Sequence, residues 1–289
     1  MLTLFTDTDC DFTPESAAKY GYKLLSMPYT IGDRLYYPYE DPAEVNLHEF
    51  YDTLRGGVVP TTSAISEQRY IDSFEPEFAA GNDILYVHFS AAMTASFDVM
   101  HKALEPLLAK YPERRFEEID SKGISALSYA IGVEVAKLAA EGKSLDEIME
   151  WSRTEVDKWA VYFFSDDLKF FRRSGRVSGL AATMGGLIGL RPIIYVNQEG
   201  KMVSIGTEKG RNKAMSRLAD YVEQLGDDVL GHKVYVVHAD CKELAEATAQ
   251  MLQERFGGKL DIEYLWVNPT IGSHCGPDSL GISFHAKHR

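Results

Sequence analysis

The sequence predicts an α/β protein made of two α/β domains, residues 1–159 and 160–289, the first built on a mostly parallel sheet. Three observations point there. Short apolar runs of strand length alternate with helix-periodic stretches through about residue 159, the pattern of parallel βαβ units. The chain has 289 residues, enough for two domains of ordinary size. A second series of strands opens at Ala160, directly after the long helical region.

In chain order, residues 2–6 read as a first strand running into the acidic loop Asp7-Thr8-Asp9-Cys10-Asp11. Thr13-Pro14-Glu15 opens a helix, where proline gives up an N–H that would have no partner in the first turn. Residues 24–31 and 35–37 read as strands about a Gly32-Asp33 hairpin turn, and residues 46–54 as a short helix. The hydroxyl-rich stretch Pro60-Thr61-Thr62-Ser63-Ala64-Ile65-Ser66 leads to a helix bearing Tyr70 and Phe74, with Ser66 as its cap. Residues 83–89 form a strand. Ser90-Ala91-Ala92-Met93-Thr94-Ala95-Ser96 then opens a helix to about Lys110. Residues 116–119 are a strand ending in Asp120-Ser121-Lys122. Ile124, Leu127, Ile131, Val135 and Leu138 recur at helical spacing, and Gly142-Lys143 ends that helix. Ser144 and Glu147 make a capping box for the next.

In the second half, residues 161–164 read as a buried strand ended by Ser165-Asp166-Asp167, a good cap sequence. A basic, aromatic segment follows, LKFFRRSGRV, then a soft glycine-bearing stretch, GLAATMGGLIGL. Arg191-Pro192 stops it, and IIYV starts another strand. Asn197-Gln198-Glu199-Gly200 reads as a hairpin turn into a strand over 202–205. A helix bearing Ala214, Leu218 and Val222 comes next. A strand over 233–238, a helix over 241–256 and strands over 260–267 and 280–285 complete the pattern.

Composition narrows the function classes. The chain is 45% hydrophobic and 25% charged, ordinary for a globular protein. A run of about 18 apolar residues is lacking, so no membrane-crossing helix is expected, and MLTLFTDTDC has no secretory-signal pattern. Cys10, Cys241 and Cys275 are odd in number and widely spaced, which fits the cytoplasm better than a disulfide framework. A net charge of −13 argues against nucleic acid as the main partner. Arg172, Arg173 and Arg176 nonetheless form a local basic patch beside small, apolar residues. A cation beside an apolar wall suits an amphiphilic anion such as a fatty acid. A basic loop packed on a core helix accounts for the same pattern, and on pattern alone is preferred. The strand that runs into Ser90 through small residues has the form of an anion site, with backbone N–H groups and the helix dipole facing a ligand.

The chain resembles the DegV family of fatty-acid-binding proteins over essentially its whole length. The resemblance is carried by Asp166-Asp167-Leu168, the basic run Arg172-Arg173-Ser174-Gly175-Arg176 with Ser174 at a family glycine, the small-residue stretch to Leu190, and Arg191-Pro192-Ile193. It recurs in the acidic loop and proline helix start near the N-terminus, in Pro60 to Ser63 with Ser66, in Ser90 with Ser96, in Asp120-Ser121-Lys122, at Arg211, and in Ile271, Gly272, His274, Gly276 and Pro277. It implies one long-chain fatty acid buried in a cleft between two domains. The implied head-group contacts are Thr62, Ser63, Ser90, the N–H groups at Ala91, Arg211, and His274 on a loop. Ala64, Ala91, Ala92 and Asp278 depart from the family pattern, and Ala91 and Ala92 replace a serine and a glycine. Phe163, Met184, Leu187, Ile188 and Met93 are wall candidates, although ordinary core packing explains each equally well. The resemblance further implies a carrier with no reaction, metal or cofactor of its own. Its partner would be a dihydroxyacetone-kinase-like fatty-acid kinase docking on Arg172, Arg173 and Arg176, and transient membrane contact is compatible with the role.

Two other readings stay open. Asp7-Thr8-Asp9 resembles the DxD nucleophile loop of haloacid-dehalogenase-like phosphatases, with Ser90 and Asp166-Asp167 following in the right order, so a Mg²⁺-dependent phosphohydrolase is the runner-up. Asp11 stands where that superfamily carries Thr or Val. The third reading is a carrier of some other amphiphile. There is no G-x-S-x-G, P-loop or zinc-ligand spacing.

Overall fold

The computed structural model describes residues 1–40, 45–179 and 189–289. β1 (Leu2–Asp7) passes through a 3₁₀ turn (Thr8–Cys10) to α1 (Pro14–Tyr20) and β2 (Tyr22–Leu25). β3 (Tyr29–Ile31), β4 (Arg34–Tyr36), α2 (Leu47–Arg55), β5 (Thr61–Thr62), α3 (Glu67–Ala79) and β6 (Asp83–His88) follow. Then come α4 (Ser96–Lys110), β7 (Phe116–Asp120), α5 (Ala126–Ala140) and α6 (Leu145–Glu155). The strand order β2-β1-β6-β7 is parallel throughout, as the strand–helix alternation predicts. β3, β4 and β5 make a small antiparallel sheet of their own.

The remaining elements are β8 (Trp159–Phe164), α7 (Lys169–Ser174), β9 (Val177–Ser178), β10 (Leu190–Val196) and β11 (Met202–Lys209), followed by α8 (Arg211–Leu225), β12 (Lys233–His238), α9 (Lys242–Arg255), β13 (Asp261–Trp266), α10 (Pro269–Cys275) and β14 (Leu280–His285). Their sheet is mixed, in the order β13-β12-β14-β8-β10-β11-β9. Of the stretch expected as a small-residue helix, residues 180–188, with the wall candidates Met184, Leu187 and Ile188, lie outside the described residues, and its last residue, Leu190, begins β10.

Two helix starts behave as their sequences dictate. The Thr13 side chain accepts from Ser16 N and the Ser144 side chain from Glu147 N, each completing a reciprocal box. Four expectations are corrected. The run 24–31 is two strands, because Ser26, Met27 and Pro28 break it and proline has no ladder donor. Its first part joins the parallel sheet and its second the antiparallel one. The helix expected from Ser90 starts at Ser96, after a separate 3₁₀ turn at Ala91–Met93. Ser66 stands at the start of α3 without a side-chain cap bond. The histidine-bearing loop is the helix α10, with Asn268 capping Thr270 N and Ile271 N and Pro269 in its first turn.

Two apolar cores flank the second sheet. Along β8, Ala160, Tyr162 and Phe164 face α8 and α9, while Val161 and Phe163 face the other way, the two-residue period of a strand. That other face meets α5, which also touches β6 and the 3₁₀ turn after β1. α5 is therefore apolar nearly all round, with Leu127, Ile131, Val133 and Val135 fully buried. Gly132 lets it come close, since a Cβ there would stand 2.8 Å from the Phe12 ring.

Candidate functional site

A cavity of about 220 Å³ opens between the cross-sheet core and the loops of the first half. Its apolar wall has simple origins. Val161 and Phe163 are the inward positions of β8, Val237 comes from β12, and Phe89 follows β6. Met93, Ile124, Phe171, Met202 and Ile271 complete it. Phe163 and Met93, both expected on the wall, stand there.

One end of the lining is polar. Thr62, on β5, sits opposite His274, on α10, with Oγ1 and Nε2 2.9 Å apart. Ser63 and Ala64 continue the same strip, and Arg176 lines the cavity with its side chain exposed. The His274 Nδ1 is buried without a hydrogen-bond partner. Burial and the nearby Arg176 guanidinium push the imidazole down to about 4, so it is neutral at pH 7. A neutral imidazole, a threonine hydroxyl and a guanidinium together offer donors to an anion without a fixed carboxylate to oppose it.

α10 is held to the first half at its start. Asn268 Nδ2 donates to Thr8 O at 2.6 Å and to Asp11 Oδ1 at 2.9 Å, and Asn268 N donates to the same Asp11 oxygen at 2.9 Å. Thr270 Oγ1 donates to Met27 O at 2.6 Å, and Tyr51 Oη donates to Val267 O at 2.8 Å. These bonds set where His274 projects.

Three of the expected residues, Thr62, Ser63 and His274, come together on the cavity. Ser90, Ala91 and Arg211 are not on its lining. The Ser90 hydroxyl is fully buried, donates to Gly200 O at 2.8 Å and accepts from Ala92 N. Ala91 N faces the Asp120 carboxylate at 3.4 Å rather than a ligand. The N-terminal turn that does reach the cavity is Thr94-Ala95-Ser96. Arg211 is engaged by Asp166, Nε to Oδ2 2.8 Å, and by Asp278, Nη2 to Oδ2 3.5 Å. Arg191 holds the same Asp166 through both oxygens at 2.7 and 3.1 Å. Arg172, Arg173 and Arg176 are exposed on and just after α7, with Arg173 Nη1 donating to Val59 O at 3.0 Å.

Two further residues of the lining are Arg176 and Asp9. Arg176 belongs to the basic run but is separated from it by the left-handed Gly175, φ 67°, which turns the chain toward the cavity. Asp9 reaches the lining because the 3₁₀ turn after β1 points it there. Its neighbour Asp7 is fully buried, accepts from Tyr86 Oη at 3.0 Å and lies off the cavity. Burial pushes Asp7 up to about 7. A nucleophile needs a reachable carboxylate, and Asp7 is fully buried and off the cavity lining.

A family model described as "Uncharacterised protein, DegV family" matches residues 1–287. The chain belongs to the DegV family. A DegV domain-containing protein of Clostridium perfringens is 31% identical over 281 residues, covering 97% of this chain and 96% of the relative. Among solved structures, a stearic acid-binding protein from Eubacterium ventriosum superposes with a TM-score of 0.87 at 20% identity, over 98% of this chain and 97% of that one. A fatty acid binding DegV family protein from Streptococcus agalactiae gives 0.84 at 23% identity, over 100% and 99%. These likenesses establish the DegV fold here. No helix among the described residues is long and apolar enough to cross a membrane.

Proposed function

We propose that this DegV protein binds one long-chain fatty acid in the cavity, with the carboxylate at Thr62, Ser63, His274 and Arg176 and the tail along Phe89, Met93, Val161 and Phe163. The observation that carries the reading is the joining of the Thr62–His274 pair to an apolar-walled cavity. Each buried CH₂ contributes about 0.8 kcal/mol, and the polar end offsets the desolvation of the head group. Solved relatives described as binding stearic or other fatty acids support the same assignment. We treat residues 1–159 and 160–289 as the two units on either side of the ligand.

The finer role we propose is that of a carrier acting in the cytoplasm. It would hold the acid for a separate kinase, which phosphorylates the carboxylate, with Arg172, Arg173 and Arg176 as the docking face beside the cavity mouth. Their exposure on one short segment supports this. Reversing those three charges should lower kinase-coupled turnover, and unchanged turnover would remove the docking assignment. The binding assignment is tested by mass spectrometry of the purified protein, native and then denatured. A stoichiometric fatty acid released on denaturation is expected. Protein that is empty and takes up no added fatty acid would overturn it.

A further inference from the structure

We propose that the cavity is built for a long-chain acid carrying an oxygen part-way along its chain, a hydroxyl or an oxo group, and that Asp9 is the residue that recognises it. This rests on the fatty-acid reading and adds the class of acid.

Away from Ser63 at the head-group end, the hydroxyls of the lining have partners within the protein. Thr270 Oγ1 donates to Met27 O, Ser125 Oγ donates to Asp11, and Ser279 Oγ donates to Cys275 O. Thr94 Oγ1 donates to Ser96 Oγ, and Thr62 is joined to His274. Asp9 is different. It is 7% exposed, it is the one acidic residue among the described lining, and its Oδ1 is buried with no hydrogen-bond partner. The Asn268 side chain lies beside Asp9 and lowers its pKa somewhat, but the Asn268 Nδ2 donates to Thr8 O and Asp11 Oδ1. A buried polar atom left unsatisfied carries an uncompensated desolvation cost, which a plain alkyl tail would leave in place.

Charge then decides the form of the group. Desolvation, and after it the flanking Asp7 and Asp11 carboxyls, raise Asp9 well above the ordinary carboxyl range, which favours the protonated form. A neutral carboxyl both donates and accepts, which matches a hydroxyl, and as a donor it matches an oxo oxygen.

Position separates this group from the head-group end. Asp9 lies in the turn whose Thr8 carbonyl receives Asn268, at the start of α10, while His274 is near its end. Six residues of helix place the two ends about 9 Å apart. The partner oxygen therefore belongs several carbons from the carboxylate.

The test uses the full chain, stripped of lipid, in competition binding between stearic acid and a series of hydroxystearic acids whose hydroxyl is stepped along the chain. At least one internal isomer should bind at least as tightly as stearic acid, although its hydroxyl costs desolvation. Asp9→Ala and Asp9→Leu should weaken that isomer about tenfold while leaving or tightening stearic acid, the scale of one lost hydrogen bond. If every isomer binds more weakly than stearic acid to the natural chain, the inference fails, whether or not the variants fold. It fails equally if both variants keep the natural ranking. Absence of binding by stearic acid and every isomer alike would overturn the fatty-acid reading itself, a distinguishable result.

Discussion

The Ser90 hydroxyl donates to the carbonyl oxygen of Gly200 at 2.8 Å, joining the loop after β6 to the turn between β10 and β11, 110 positions away in sequence. A residue expected at the ligand head group instead fastens one sheet's loop to the other's. Gly200 has φ 73°, and a Cβ there would overlap Ser90 Oγ.

Ser90→Ala should therefore act on stability before it acts on ligand. The loss of one buried bond predicts a cost of about 1–2 kcal/mol, read as a lower urea midpoint at unchanged slope. Fatty-acid affinity should stay within about threefold, where a removed head-group contact would cost about tenfold or more. A tenfold loss with an unchanged midpoint would return Ser90 to the ligand site.

His274 should leave a mark on the pH dependence of folding. Its imidazole is held at about 4 in the folded chain, against about 6.5 unfolded. Between these values the unfolded chain takes up a proton that the folded chain refuses. The stabilisation is therefore complete above about pH 6.5 and lost as pH falls toward about 4. In ligand-free protein, His274→Gln should flatten that fall by on the order of 2 kcal/mol. Urea titrations of both proteins across this range would measure the difference.

Asp7 should act in the opposite sense. Its carboxyl is raised to about 7 by burial, so its favourable contribution is present below about pH 4 and disappears as pH rises through about 7. Asp7→Asn should gain stability relative to the natural chain between about pH 5 and pH 8, by on the order of 2 kcal/mol. A difference that does not change with pH would show that Asp7 is ionised in the folded chain.

Asp11 accepts from Ser125 Oγ, Asn268 N and Asn268 Nδ2. Asp11→Ala leaves those donors buried without a partner, so a loss of about 3 kcal/mol or more is expected. Because these bonds seat the start of α10, the variant should also weaken ligand binding. Calorimetric melting together with lipid titration would test both effects.

Gly276 follows α10 at φ 73°, and a Cβ there would overlap the buried Phe170 ring. Gly276→Ala combines a left-handed backbone with overpacking, at a cost of about 2–4 kcal/mol. The strain falls two residues from His274, so retention of both full stability and full affinity would contradict the packing described here.

Much of this was legible in the sequence where local chemistry decides it. Thr13-Pro14 and Ser144-x-x-Glu147 announce helix starts, and the Gly32-Asp33 turn announces a hairpin, because each acts within four residues. Thr62, Ser63 and His274 were legible through motif resemblance, and they do meet on one cavity. The Asn268-Pro269 start of α10 carries the same capping chemistry but reads as a loop, because its seven residues are too few to show apolar periodicity. Ser90, Arg211 and Asp9 were beyond reach for one shared reason. Their partners Gly200, Asp166 and Asp278 stand far along the chain, and the cavity beside Asp9 exists only once the strands have paired.

α5 is wrapped by β6 on one side and by β8, β12 and β14 on the other. A hinge that parted the two sheets like a clamshell would have to bring Leu127, Ile131 and Val135 into water together, each now fully buried. Any opening of the cavity that kept this helix buried would therefore be a local change along the lining, not a parting of the two sheets.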